Sequence, residues 1–316
     1  MNSKALKRSN FGSVLQNLGA LIALVILFLV FSVISADFRS MNNILALLKQ
    51  ASTNGLIAFG MTGIILTGGI DLSVGSLLAL TTVVGALMIH GGTSPAVAML
   101  AVLLMGVLLG AINGVLITKG RLQPFIATLI TMTVYRGLTY IFSNGMPISD
   151  LGSDPMLSGV GRGTLLMIPV PVWIMAVMFG IYFFALNKTT FGRKVYATGS
   201  NEKAAKLAGI NTAKTKVILY TISGFLSALA GLILVSRLGS AQPTIGAGYE
   251  TDAIAAVALG GTSMMGGRGK IYGTLIGVLI IAVLNNGLNI MNVSSYYQNV
   301  VKGIVILLAV LSDRKR

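Results

Sequence analysis

Long apolar runs alternate with short polar connections from one end of the chain to the other. An α-helix of about 20 apolar residues crosses the roughly 30 Å hydrocarbon core of a bilayer. The pattern therefore predicts an all-α polytopic membrane protein in which residues 1–316 form one transmembrane domain. The predicted spans are approximately 16–35, 42–67, 73–90, 96–118, 123–143, 169–187, 217–237, 251–266, 271–290 and 296–312.

The composition supports a place in the membrane, because 54% of the residues are hydrophobic and only 10% are charged, whereas soluble domains carry roughly 25% charged residues. Lys4, Lys7 and Arg8 precede the first apolar run, which could imitate a cleaved signal peptide. That run is longer than the usual ~7–15 residue apolar region and further spans follow, so we expect an uncleaved first helix.

The net charge of +15 indicates membrane orientation rather than nucleic-acid binding, because most basic residues lie in alternate connections between spans. Arg39 and Arg162 are the clear basic residues of the other connections. The positive-inside bias therefore predicts that both termini and the basic connections are cytoplasmic. The basic connections are Lys119–Arg121, 188–216, Arg268–Lys270 and the tail Asp313–Arg316.

Glycine-rich stretches carry two further predictions. Glycines at three- and four-residue steps inside the spans, as in "GVLLGAINGV", predict close helix packing. "TGGIDLSVGSLLAL" and "LGGTSMMGGRGKIYGTLIG" each place Gly-Gly and a further Gly before an apolar helix, which predicts an internal repeat of the kind found in transporters. The predicted external connection 143–168 is rich in Gly, Pro, Asn and Asp and reads as an irregular loop, either solvated or part of a docking face.

Several kinds of site are excluded. "GGRGKI" is not a phosphate-binding loop, because Ile271 stands where Ser or Thr is needed and Met264 stands where Gly is needed. His90 is the only histidine and the chain has no cysteine, so a His-based metal cluster cannot form. A Ser-His-Asp triad would have to use His90, which lies beside Gly91-Gly92 at a predicted external membrane surface, where we expect a simple interfacial residue. We expect no catalytic residue, no metal site and no cofactor in this chain.

Charged residues near the spans are candidates for function, because a charge in mid-membrane costs on the order of 3 kcal/mol and faces protein or water. Asp71 lies at a break between spans. With Ser73 it either caps the next helix or lines the inner mouth of a pathway. Arg136 lies within the fifth span and needs a partner, for which Glu250, Asp252 and Asp71 are the candidates.

Neutral polar residues in the spans have two interpretations. They suit a sugar pathway, because hydroxyl partners bind without trapping the substrate. Each could equally hold helices together. These residues are Asn54, Thr62, Asn113, Gln123, Thr128, Thr131, Asn285 and Asn286.

The basic connection 188–216 contains a short predicted helix, "SNEKAAKLAG". Asn201 or Ser200 caps it, Glu202 complements the positive end of its dipole, and Gly209 ends it. A helix this short is unstable alone in water and must dock on something. It is either a surface helix lying on its own bundle or a lever moved by a cytoplasmic partner.

Long sequence runs over almost the whole chain resemble the permease subunit of ribose-type ABC importers. The runs are "GMTGIILTGGIDLSVGSLLAL", "NGVLITKGRLQPFIATL", "GSNEKAAKLAGI", "SAQPTIGAGYETDAIAAVALGGTS", "GTLIGVLIIAVLNNGLN" and "VSSYYQNVVKGIVILLAVLSD". The resemblance implies a type II-like importer fold with about ten helices per subunit, in a homodimer. It also implies a tandem ATPase inside, which binds Mg-ATP, and a ribose-binding protein outside a bacterial cytoplasmic membrane.

In that family the region around "GSNEKAAKLAGI" is the coupling helix, which enters a cleft on the ATPase. The residues that carry this role over are Gly199, Asn201, Glu202, Ala204, Ala205, Leu207, Gly209 and Ile210. The function implied is ATP-driven import of D-ribose. Three alternatives stay open: import of another monosaccharide or of a furanone autoinducer by the same family, ion-coupled secondary transport, and a scaffold without transport.

Overall fold

The computed structural model describes residues 3–151 and 154–313, and side chains over 19–151 and 154–308. The described part is almost entirely helical, with one two-stranded antiparallel hairpin. The elements are α1 (Ser3–Ile34), α2 (Met41–Leu66), α3 (Val74–His90), α4 (Pro95–Thr118), α5 (Pro124–Ser143), α6 (Pro155–Arg162), β1 (Thr164–Leu165), β2 (Ile168–Pro169), α7 (Val170–Lys188), α8 (Thr190–Ser200), α9 (Glu202–Leu207), α10 (Thr212–Leu238), α11 (Tyr249–Leu259), α12 (Ile271–Ile290) and α13 (Ser295–Asp313).

Within the described residues, a helix lies at each of the ten predicted spans: α1 to α5, α7, and α10 to α13. Five of these helices, α4, α5, α7, α10 and α12, are long and apolar enough to cross a membrane by length and composition. Gly19–Ile34 and Val74–His90 are shorter apolar helical stretches. The predicted all-α polytopic class is confirmed.

The predicted eighth span, 251–266, is wrong in length. The helix there is α11, which has 11 residues and therefore rises only about 16 Å. Gly260 is its C-terminal cap, and Gly261 adopts a φ of +78° that a helix does not allow. Two other bounds also differ, because α1 begins at Ser3 and α10 begins at Thr212, where the backbone stays helical beyond the apolar residues.

Glycines bring α4 and α10 into close contact, as their spacing predicted. A side chain at Gly110 of α4 would overlap the backbone carbonyl oxygen of Tyr220 on α10. A side chain at Gly224 of α10 would overlap the carbonyl oxygen of Gly106. On its other side, α4 exposes Leu100, Leu104 and Leu108 at four-residue steps, which gives this helix an apolar face for lipid.

One end of the bundle, here called the hairpin end, collects the connections predicted outside. The side chain of His90 bonds the carbonyl of Ser149 at 2.6 Å, and Gly161 N–H donates to the Ser236 hydroxyl at 2.8 Å. The connection 143–168 is not the irregular loop predicted, because it contains α6, β1 and β2. Asp154 caps α6 by accepting from two backbone N–H groups, and Pro155 follows at the first helical position, where proline is favoured.

The other end, here called the basic end, collects connections predicted inside: 67–73, 188–211 and 260–270. Gly267 N–H donates to the carbonyl of Leu66 at 2.9 Å. The Tyr196 hydroxyl on α8 donates to the carbonyl of Gly269 at 2.9 Å. The two glycine-rich stretches therefore lie side by side, one leading into α3 and the other into α12. Arg314–Arg316 of the predicted internal tail lie outside the described residues.

Candidate functional site

The short helix α9 has the caps predicted for it. The Asn201 side chain accepts from the N–H of Ala204 at 3.0 Å. Gly209, with φ +80°, donates its N–H to the carbonyl of Lys206 at 3.0 Å, and Ile210 N–H donates to the carbonyl of Ala205. These bonds satisfy both ends of a helix that is six residues long.

Glu202 fastens α9 to the base of α10. Its carboxylate accepts from Lys216 at 2.6 Å and from the Thr212 hydroxyl at 3.1 Å, both on α10. It also pairs with Lys206 on α9 itself, at 3.0 Å. The sequence predicted Glu202 as a complement to the helix dipole and, through the family resemblance, as a coupling residue, but it did not predict the contacts with Lys216 and Thr212. These contacts join α9 to α10.

The charges around Glu202 set its ionisation. Partial burial raises the pKa of Glu202, but the hydrogen bonds donated by Lys216 and Lys206 outweigh burial and lower the pKa to about 2. The carboxylate is therefore ionised at physiological pH and keeps its charge for the contact with Lys216.

We expect acid to loosen α9 because the pKa of Glu202 is lower in the folded protein than in the unfolded chain. The contribution of Glu202 to stability is complete above about pH 4.5 and is lost as pH falls towards about 2. Hydrogen exchange of the α9 amides, corrected for intrinsic rates, should show lower protection at pH 2.5 than at pH 5. The Glu202→Gln variant should show no such change, and a drop of equal size in that variant would assign the effect to another group.

The outer face of α9 is open to a partner. Ala205 is buried against the bundle, whereas Leu207 is 91% exposed. Lys203, Ala204 and Lys206 are exposed beside it. The outer face of α9 thus presents one exposed apolar side chain between two exposed lysines.

Gly199 connects this segment to the rest of the basic end. A side chain at this position would overlap the carbonyl oxygen of Leu66 and lie 2.6 Å from the N–H of Gly267. The end of α8 thus touches the backbone of both glycine-rich stretches. A displacement of the end of α8 would therefore act directly on the backbone at Leu66 and Gly267, without any intervening side chain.

Asp71 is at the centre of a buried polar cluster. It is fully buried and accepts from the Ser73 N–H and hydroxyl at 2.9 and 2.7 Å, and from the Ser223 hydroxyl on α10 at 3.3 Å. Asn113 on α4 donates to the Ser73 hydroxyl at 2.7 Å. Ser73 occupies the N-cap position of α3 as predicted, but within the described residues its side chain forms no cap bond to that helix. These bonds give Asp71 a structural role within this cluster, and its place at the inner mouth of a pathway stays a prediction.

Thr128 belongs to the same region. It is fully buried, and its hydroxyl lies 2.9 Å from the carbonyl of Pro124 and 3.3 Å from that of Ile70. The Tyr220 hydroxyl also donates to Ile70, at 3.2 Å. The backbone just before Asp71 is therefore held by α5 and α10 together.

Arg136 has partners other than the predicted carboxylates. Its guanidinium donates to the carbonyl oxygens of Pro243 and Ile245 at 2.6 and 3.0 Å. Within the described residues it forms no ion pair within 4.0 Å. Two carbonyls at the hairpin end satisfy the same guanidinium donors that a carboxylate would, so the prediction of a carboxylate partner was wrong.

We expect Arg136→Met to lower the yield of folded protein, because it leaves two buried carbonyls without a donor, at about 1.5–3 kcal/mol for each charge-assisted bond. Adding Glu250→Gln should give no recovery. Size-exclusion profiles in detergent measure the yield, with the exposed Lys119→Met as the control. Recovery in the double variant would instead identify Glu250 as the partner.

The remaining charged candidates lie around the start of α11. Asp252 is 7% exposed and pairs with Lys302 on α13 at 3.1 Å. Glu250 is half-buried and accepts from the N–H of Gly248 at 3.2 Å. The sequence indicated Asp252 and Glu250 but not Lys302, which is 50 residues away in the chain.

Some of the neutral candidates form hydrogen bonds with other residues, and others lie at positions that assign them no role. Asn286 exchanges amide hydrogen bonds with Asn43 on α2 at 2.9 and 2.8 Å. Asn285 is buried and its carbonyl oxygen has no partner. Asn54 is 7% exposed on α2, and Gln123 is exposed at the start of α5. Thr62 bonds Thr274 on α12, and Thr131 bonds the carbonyl of Thr128 in its own helix.

The chain matches, over residues 43–310, the family described as branched-chain amino acid transport system, permease component. The ribose import permease protein RbsC of Bacillus subtilis (strain 168) is 57% identical over 98% of this chain and 96% of that protein. RbsC of Escherichia coli (strain K12) is 51% identical over 94% and 93%. The L-arabinose transport system permease protein AraH of the same strain is 38% identical over 96% and 92%. No solved structure gives a significant match.

The apolar helices and the family match together define a multi-pass membrane transport protein. The chain belongs to the family of branched-chain amino acid transport system permease components, whose members are transport subunits rather than catalytic enzymes. The resemblance carried by the sequence runs is confirmed.

Proposed function

We propose that this chain is the membrane-spanning subunit of an ATP-driven importer and that its substrate is D-ribose. The observation that carries the substrate is the similarity to relatives named as ribose import permeases, at 57% and 51% identity over nearly the whole chain. The L-arabinose relative is more distant, at 38%. The chain is therefore more similar to these ribose relatives than to the arabinose relative.

The partners follow from the same proposal. A second copy of this chain completes the pathway, a tandem ATPase binds Mg-ATP at the basic end, and a ribose-binding protein docks at the hairpin end. The basic end then faces the cytoplasm of a bacterium, with both termini on that side. The excess of Lys and Arg in the connections that meet there supports this orientation.

The contacts at the basic end suggest how movement is transmitted. The ATPase grips α9 through the exposed face around Leu207. Glu202 carries the displacement to α10 through Lys216, and Gly199 carries it to the connections that lead into α3 and α12. Closing and opening of the ATPase thus switches the pathway between its outward and inward states. Nucleotide chemistry stays on the partner.

The test is to co-purify this chain with its ATPase and binding protein and reconstitute the complex in liposomes. Uptake of D-ribose that depends on ATP and on the binding protein is expected. Uptake of another sugar or of a furanone, without uptake of ribose, would show that ribose is not the substrate. Ribose uptake by this chain alone, driven by a proton or sodium gradient, would identify a secondary transporter. No uptake of any candidate by the complete complex would favour a scaffold.

A further inference from the structure

The shortened helix α11 marks a break in the membrane-embedded part of the fold. It follows Gly246 and Gly248, both with positive φ, and it ends after 11 residues. Interrupted helices within a transport domain typically form substrate sites, because they bring irregular backbone and polar side chains to membrane depth. A ligand site is therefore expected beside α11.

An open groove of about 510 Å³ runs between α11 and α13. Sites for small molecules typically measure about 300–1,000 Å³ and combine a mainly apolar wall with a few polar groups. The groove has this character. Its polar lining comes from Tyr249, Thr251, Asp252, Asn299 and Lys302.

A contribution to stability does not by itself explain the ion pair in this groove. The Asp252 side chain is 9% exposed and the Lys302 side chain 21%. Charged side chains that lie largely buried among the helices of a transmembrane domain are costly and by default indicate function. A buried ion pair is also weak evidence for stability, since apolar residues of similar volume often serve as well. Lys302 retains its access to the groove while it neutralises Asp252.

We propose that the groove between α11 and α13 is a transit subsite for a neutral, polyhydroxylated monosaccharide. The Asp252 carboxylate accepts from sugar hydroxyls, the Lys302 ammonium donates to their oxygens, and the Asn299 amide, exposed on α13, can do either. The Tyr249 ring supplies an apolar surface for the carbon side of the sugar. A closely spaced carboxylate and ammonium offer an uncharged polyol both a hydrogen-bond acceptor and a donor. An anion would be repelled by the carboxylate, and a cation would be repelled by the ammonium.

The inference rests on the proposed function, because it assigns a place in this chain to the sugar that the complex carries. The main competitor is a zwitterion such as a branched-chain amino acid, which would also fit paired opposite charges. Sugar and zwitterion are therefore separate arms of the test.

The absence of native cysteine allows a site-directed alkylation assay in the full complex with its ATPase and binding protein. Gly303→Cys places one thiol in the groove, where a side chain at Gly303 would meet nothing within 4 Å. Ser295→Cys, exposed at the start of α13 and outside the groove, is the matched control. The rate of maleimide alkylation is measured with millimolar D-ribose, with L-leucine, and with neither.

We expect D-ribose to slow alkylation of Gly303→Cys at least threefold, with no effect of L-leucine and no change in Ser295→Cys. Adding Asp252→Leu and Lys302→Met together removes both charges without leaving a lone buried one, and should abolish protection and lower ribose uptake at least tenfold. Chromatographic profile and melting temperature verify that this variant is folded. If it does not fold, protection is measured in Asn299→Leu, which leaves the ion pair intact and should weaken protection at least threefold.

Three outcomes overturn the subsite: protection by L-leucine instead of ribose, equal protection of both cysteines, and unprotected Gly303→Cys in a complex that imports ribose. The last result would leave the proposed function standing. A complex that imports no ribose would instead contradict the proposed function.

Discussion

Glu202→Arg should abolish sugar uptake by the assembled complex while ATP hydrolysis continues. The substitution removes the acceptor for Lys216 and Thr212 and places a third cation next to Lys206 and Lys216. The helix α9 would still meet the ATPase, but its movement would no longer reach α10. Uptake and ATP hydrolysis are measured on the same liposomes, and we expect their ratio to fall at least tenfold.

Two further variants of α9 define what the Glu202 result means. Lys203→Ala alters an exposed residue of the same helix and should leave the ratio near its wild-type value. Ala204→Pro removes the N–H that Asn201 accepts and should uncouple as strongly as Glu202→Arg. Wild-type transport in both Glu202→Arg and Ala204→Pro would rule out the role of α9 as a lever.

Among substitutions that add a single methyl group at the basic end, Gly199→Ala should be the most damaging. The added carbon would overlap the carbonyl oxygen of Leu66 and crowd the N–H of Gly267. Backbone atoms cannot rotate away as a side chain can, so we expect a loss of about 1–3 kcal/mol in the free energy of unfolding. Uptake should fall further than stability, since α8 would be displaced from both glycine-rich connections.

Gly180→Ala is the matched control for this effect. Gly180 lies within α7, and a side chain there would meet nothing within 4 Å. Because alanine favours a helix over glycine by about 1 kcal/mol, this variant should melt at the same or a higher temperature. Equal melting temperatures for Gly199→Ala and wild type would show that the backbone at Gly199 has room to move.

The spans and the short helix were predictable from the sequence because local physics determines them. An apolar run long enough for a bilayer has few alternatives to a helix. Within ten residues, Asn201 marks the start of the helix, Glu202 complements the positive end of its dipole, and Gly209 marks its end. Asp154-Pro155 carries a similar start signal for α6, but the surrounding Gly and Pro drew the interpretation towards a loop.

The partners of charged residues could not be predicted because distance along the chain hides them. Lys216 lies 14 residues from Glu202, and Lys302 lies 50 residues from Asp252. Arg136 bonds two carbonyls more than 100 residues away, and any residue type presents a carbonyl. The structure gives the positions of Asn54 and Gln123, but position alone does not show whether a side chain contacts a substrate. Their role in a pathway therefore stays a prediction.

The early end of α11 affects the distance that a substrate must cross without contact with water. Beyond Gly260 the chain turns back, and a cavity of about 410 Å³, lined by Gly261, Lys270 and Gly273, opens at the basic end. Water that enters this cavity from the basic end makes the water-free path beside α11 shorter than the full hydrocarbon thickness of about 30 Å.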